Sequence, residues 1–155
     1  MSVAALGKQL ASSLHQQYLK PRGFRKVGAT FIRERTGYFE MYSIQGSSWN
    51  SGGEPWEFYL NVGVQLVGVP MHDGTPATRT SRHAEGRSSS ILPDTPQRLE
   101  VAGSSVALAS AQVADIIERC SHILPELLAP VRARAQAGFW SALPVPGSWN
   151  QHGAT

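Results

Sequence analysis

The sequence predicts an α+β fold: an antiparallel meander of about four to five strands, with an N-terminal helix and C-terminal helices packed on one face. Three patterns carry that prediction. From Trp56 to Leu66 every second residue is apolar (Trp56, Phe58, Leu60, Val62, Val64, Leu66), while Glu57, Tyr59, Asn61, Gly63 and Gln65 alternate with them, as in a strand with one buried face. Near the N-terminus Val3, Leu6, Leu10, Leu14 and Tyr18 recur at helical spacing. Towards the C-terminus Val106, Val113, Ile116, Ile117 and Cys120 do the same.

The elements follow in order. The first helix ends at Pro21 and Gly23, and a short piece around Phe24 to Val27 is placed to pair with the strands that come next. Strands at about Ala29 to Arg35 and Tyr38 to Ser47 are joined by Thr36-Gly37, short enough for a tight hairpin. Ser48 to Pro55 is a Gly- and Pro-rich turn leading into the Trp56 strand. Between residues 68 and 96, 15 of the 29 positions are Gly, Pro, Ser or Thr, so this stretch reads as a long surface connection. Short strands are expected within and after it at Ser88 to Leu92 and Arg98 to Val101. Ser104 or Ser105 caps the next helix, Pro125 suits the first turn of another, and Pro130 should kink or interrupt it. Residues 1–141 form one α+β domain, and 142–155 form an irregular tail with Trp149 as its one docking group.

Composition narrows the function. Seven cations precede position 36 (Lys8, Lys20, Arg22, Arg25, Lys26, Arg33, Arg35) against the single acid Glu34, although the whole chain carries only +3. A basic half suits phosphate or an acidic partner, and it equally suits a solvated rim whose cations guard a sheet edge, the reading favoured here. The aromatic interleaving of a nucleic-acid platform is thin here, which disfavours nucleic acid bound through Lys20 to Arg35. The lone Cys120 excludes an internal disulfide and fits a reducing, cytoplasmic setting. At the N-terminus Lys8, Gln9 and Ser12 interrupt the apolar residues, so the segment reads as neither signal peptide nor membrane span.

Recognisable chemistry is sparse. His15, His72, His83, His122 and His152 lack ligand spacing, so no metal and no cofactor is expected. No nucleophile elbow or glycine-rich phosphate loop occurs. Cys120 and His122, two positions apart on a helix, point in nearly opposite directions and cannot form a local dyad. No catalytic residue is therefore assigned.

What remains is a surface. The face of the Trp56 strand opposite the core presents Tyr59, Asn61 and Gln65, and the neighbouring strand sets Ser43 and Gln45 beside them. Arg33, Trp49 and Asn50 lie near the strand ends, and Arg79, Arg82, His83 and Arg87 come from the long connection. The residues expected to bind a ligand or partner are Arg33, Gln45, Trp49, Tyr59, Asn61, Arg82 and Arg87. A close approach of Arg82 or Arg87 to Gln45 or Asn61 would turn this face into a recognition site.

The residues Tyr18-Leu19-Lys20, Gly23-Phe24-Arg25-Lys26, Thr30-Phe31, Ile44-Gln45, Ser48-Trp49-Asn50 and Phe58-Tyr59-Leu60-Asn61-Val62-Gly63 together resemble a bacterial family catalogued as domain of unknown function 4304. The resemblance covers roughly the first 66 residues; further on, the family's arginine at the start of a fourth strand is met by Arg87, though Ser88 stands where an apolar residue follows it. It implies a cytoplasmic bacterial α+β domain with no established catalytic residues. The leading expectation is a non-catalytic interaction module, accessory or toxin-neutralising by analogy, with a partner of acidic surface. The alternatives are a small enzyme or sensor for a polar or phosphorylated ligand, using Arg82, His83 and Arg87, and nucleic-acid binding through the basic segment.

Overall fold

A computed structural model describes residues 3–136 and 141–145 of the chain. Helix α1 (Val3–Leu14) buries Leu6, Leu10 and Leu14 at the predicted spacing. It runs on through a π turn (His15–Leu19) and a 3-10 turn (Lys20–Arg22), and Gly23 ends it at φ 91°, a conformation that costs glycine little.

The meander follows as β1 (Arg25–Val27), β2 (Thr30–Arg35), β3 (Tyr38–Gly46) and β4 (Trp56–Leu66), each antiparallel to the one before. Arg35 pairs directly with Tyr38, so Thr36-Gly37 is the tight loop that its length predicted. Two short strands share the far edge of β4: β5 (Ala84–Arg87) pairs with Asn61 to Val64, and β6 (Leu99–Val101) with Trp56 to Phe58. A parallel pair of residues, β7 (Ser141–Ala142), extends the sheet beyond β5, making seven strands among the described residues.

The strand expected at Ser88 to Leu92 lies one element earlier. Residues 84–87 pair instead, and Ser88–Ile91 turn into the short helix α2, which buries Ile91. The piece expected at Arg98 to Val101 does pair. No new helix starts at Pro125 and none is interrupted at Pro130: both lie inside one 31-residue helix, α3 (Val106–Gln136). Each interior proline removes a helical hydrogen bond and costs roughly 3 kcal/mol. Leu124, Leu127, Leu128 and Val131, spaced on one face around the prolines, are all buried, and burying each such side chain returns about 1.5–3 kcal/mol. Ser105 precedes α3, but its hydroxyl accepts from Ala102 N–H and closes the preceding turn. Of the tail expected at 142–155, Ala142 belongs to β7, and Trp149 lies outside the described residues.

α1 and α3 cover one face of the sheet, where Phe31, Tyr42, Phe58, Leu60, Val62 and Val64 are fully buried or nearly so. One carboxylate lies among them. Glu40 has no exposed surface; its Oε1 accepts from the Tyr42 hydroxyl at 2.7 Å and its Oε2 from Arg33 Nε at 3.1 Å, with Arg35 Nε at 3.6 Å. Burial first, then the Glu40 charge, pushes the Tyr42 phenol well above its usual range.

Cys120 is a core residue of α3 with no exposed surface, and burial raises its thiol from 9.0 to about 12. The unfolded chain therefore releases this proton first as pH rises, so stability falls above pH 9, and Tyr42 adds to the fall above pH 10. Denaturant unfolding between pH 9 and pH 11 should show a loss of up to about 1.4 kcal/mol per pH unit for each group. Cys120→Ala should flatten the lower part of that fall, and the native thiol should resist alkylation at neutral pH.

Candidate functional site on the open sheet face

The pairing of β3 with β4 sets Ser43 opposite Asn61 and Gln45 opposite Tyr59, all on the face away from the helices. β5 adds Arg87 directly opposite Asn61 on the other side. The four polar groups interlock. Arg87 Nη1 donates to Asn61 Oδ1 at 2.6 Å and to Gln45 Oε1 at 2.9 Å, and Asn61 Nδ2 donates to the same Gln45 oxygen at 2.9 Å. The guanidinium carbon of Arg87 lies 3.9 Å from the centre of the Tyr59 ring, a cation–π contact.

Among the described residues this charge is held by neutral groups alone. The carboxylates that pair with arginines among the described residues go elsewhere: Glu40 to Arg33 and Arg35, Glu85 to Arg82, Glu57 to Arg98, Glu118 to Arg22 and Asp94 to Arg119. Arg87 uses one terminal nitrogen on the amides, and its Nε and Nη2 hydrogens have no acceptor among the described residues. A planar fork fixed along one edge and stacked on one side is poised to pair with a planar carboxylate.

The long connection covers the rest of this face. Gln65 donates both amide hydrogens, to Thr78 O and Ser81 O, each at 2.7 Å, and Ile32 and Met41 are buried beside it. Arg82 lies across Gly63, where an added Cβ would stand 2.7 Å from Arg82 Cδ; only glycine leaves room for it. Its guanidinium bonds Glu85, Ser43 and Thr30. Arg82 thus belongs to the covered half and hydrogen-bonds neither Gln45 nor Asn61, whereas Arg87 bonds both.

His83 does not face the surface. It is buried, its Nδ1 accepts from Leu66 N–H at 2.8 Å, and Nε2 lies 3.1 Å from Val69 O, so the ring donates there and pins the connection to the end of β4. The enzyme alternative needed His83 at the polar face beside Arg82 and Arg87, and His83 lies elsewhere. Arg33 is a correction of a different kind. It shares the phase of Phe31 in β2 and so points to the helix face, binding Glu40, Arg22 O and Ser121 Oγ. Asn50 closes the β3–β4 loop through Glu57 N–H at 2.8 Å and Glu57 O at 2.8 Å, while Trp49 beside it is 78 % exposed. Among the described residues no three or more His, Cys, Asp or Glu side chains converge as metal ligands would, and no helix is long and apolar enough to cross a membrane.

The sequence model of a family described as domain of unknown function (DUF4304) matches residues 15–124. The chain belongs to this family. The DUF4304 match reaches well past the first 66 residues and takes in β5 with Arg87, α2, β6 and most of α3. No curated protein and no solved structure matches the chain.

Replacing His83 by Ala should strip the buried Leu66 N–H of its acceptor and cost roughly 1–3 kcal/mol. Hydrogen exchange should quicken at Leu66 and His83 first, where the connection is anchored. Unchanged protection at both sites would show that His83 is not the anchor.

Proposed function

We propose that this DUF4304 domain is a non-catalytic interaction module whose open face, Gln45, Tyr59, Asn61 and Arg87 with Trp49 at its edge, receives an acidic group on a protein partner. The observation that carries the reading is the Arg87 guanidinium, oriented by two amide oxygens and a phenol ring, with no carboxylate paired to it among the described residues. Holding a cation ready in this way lowers the ordering cost of pairing it later. Arg, Tyr and Trp are also the residue types that dominate binding energy at protein interfaces. Amides, a phenol and a guanidinium recognise polar groups by hydrogen bonding. Arg82 supports the reading from beneath, since it props the covered half of the face against Ser43 and Glu85. The setting that goes with this reading is the bacterial cytoplasm, where Cys120 stays a free thiol. The role we favour there is that of an accessory or toxin-neutralising partner.

The test is affinity capture from native host lysate, with and without nuclease, using wild type, Arg87→Gln and a Gln45→Ala/Asn61→Ala double variant. One stoichiometric protein should survive nuclease with wild type and be lost, by about tenfold or more, with either variant. Melting temperatures should stay close to wild type, because the altered groups are partly exposed and outside the core. A partner captured equally by Arg87→Gln would contradict the assignment, and capture abolished by nuclease would favour nucleic acid.

A further inference from the structure

On the helix face of the sheet a second cluster surrounds a cavity of about 190 Å3, lined by Arg22, Phe24, Arg33 and Arg35 on one side and by Ile117, Glu118, Ser121 and His122 of α3 on the other. Three guanidiniums meet here, and two carboxylates oppose them. Both oxygens of Glu40 are already engaged, and Tyr42 beside it stays protonated and brings no negative charge. Glu118 holds Arg22 only at 3.4 Å, with 56 % of its side chain exposed, so water and salt weaken that pair. A surplus of positive charge therefore faces the cavity.

We infer that this cleft between β2, the Lys20–Arg22 turn and α3 binds a small tetrahedral oxyanion, free phosphate or the head of a small phosphomonoester. Arg33 is its fixed element. Nε is bonded to Glu40, Nη1 to Arg22 O at 3.1 Å and Nη2 to Ser121 Oγ at 3.0 Å, and the guanidinium lies 4.4 Å from the centre of the Phe24 ring. Each terminal nitrogen keeps a second hydrogen to offer. Arg22 and Arg35, 39 % and 44 % exposed, stand on the rim and can swing inward. Ser121 Oγ accepts from Arg33, which frees its own proton to donate. The volume is ample for a phosphate-sized ion. The inference does not depend on the open-face reading, because Arg33 and Arg87 lie on opposite faces of the sheet.

The experiment is a titration of the full chain with sodium phosphate and, separately, phosphoserine. Arginine side-chain and backbone NMR shifts would be followed against sodium chloride of equal ionic strength. Shifts should be confined to Arg22, Arg33, Arg35, Ser121 and His122. The Arg22→Gln/Arg35→Gln variant keeps the Arg33–Glu40 pair and should fold normally. It should bind phosphate at least about tenfold more weakly, and Arg87→Gln should bind as wild type does. Phosphate bound with phosphoserine rejected assigns the free ion; both bound assign an ester head, and either result supports the site. Equal shifts with chloride, unchanged binding in the double variant, or shifts centred on Arg87 would overturn it. Tight binding of RNA through Arg22 and Arg35 without a phosphate response would overturn it in favour of a polyanion surface.

Discussion

The rest of the molecule depends on the nine-residue antiparallel register between β3 and β4, from Tyr38 opposite Leu66 to Gly46 opposite Phe58. Side chains alternate strictly along a strand, so this register assigns every residue of the central sheet to one of two faces at once. Tyr42, Ile44, Leu60, Val62 and Val64 go to the helices, and Ser43, Gln45, Tyr59 and Asn61 go to the other side. A slip by one residue would bury the amides and expose the core. The hydrophobic energy that fixes the fold therefore also fixes the place of the polar cluster.

The same sheet handles arginine charge in two contrasting ways. On the helix face Arg33 and Arg35 offset a carboxylate that has no contact with water, and Tyr42 completes its bonding. Removing Arg33, whose Nε donates to that carboxylate at 3.1 Å, would leave the buried charge with only the looser Arg35 at 3.6 Å, which is costly, so Arg33 holds the fold as well as lining the cleft beside it. On the open face the groups that hold Arg87 among the described residues are amide dipoles and a ring, in partial contact with solvent. Its charge is oriented without being neutralised, which contributes little to stability and leaves its pairing capacity for something outside the chain.

Much of this was legible from residue order alone. The period-two run from Trp56, the Thr36-Gly37 loop and the apolar helical spacings marked the sheet and its covering helices, because burial on one face imposes those periods. The approach of Arg87 to Gln45 and Asn61 was legible only as a condition, because the strand that brings it there, residues 84–87, reads in the sequence as part of the long connection. Arg33 was misplaced despite a signal being present: counting in twos from Phe31 puts it on the core side, opposite Glu40. The prolines of α3 misled because local rules take no account of Leu124 to Val131 being held against the sheet. Nothing local reveals that His83 would be spent on Leu66 N–H, since that contact exists only once residues 67–82 have folded back.

The central claim is that the Arg87 guanidinium is fixed in place before any partner arrives. Nitrogen-15 NMR of the arginine side chains in the free protein tests it most directly. The account predicts a distinct Arg87 signal with hindered rotation about its Nε–Cζ bond, collapsing to the averaged signal of a free arginine in the Gln45→Ala/Asn61→Ala variant. A freely rotating Arg87 in the wild-type protein, indistinguishable from exposed Arg79, would contradict it.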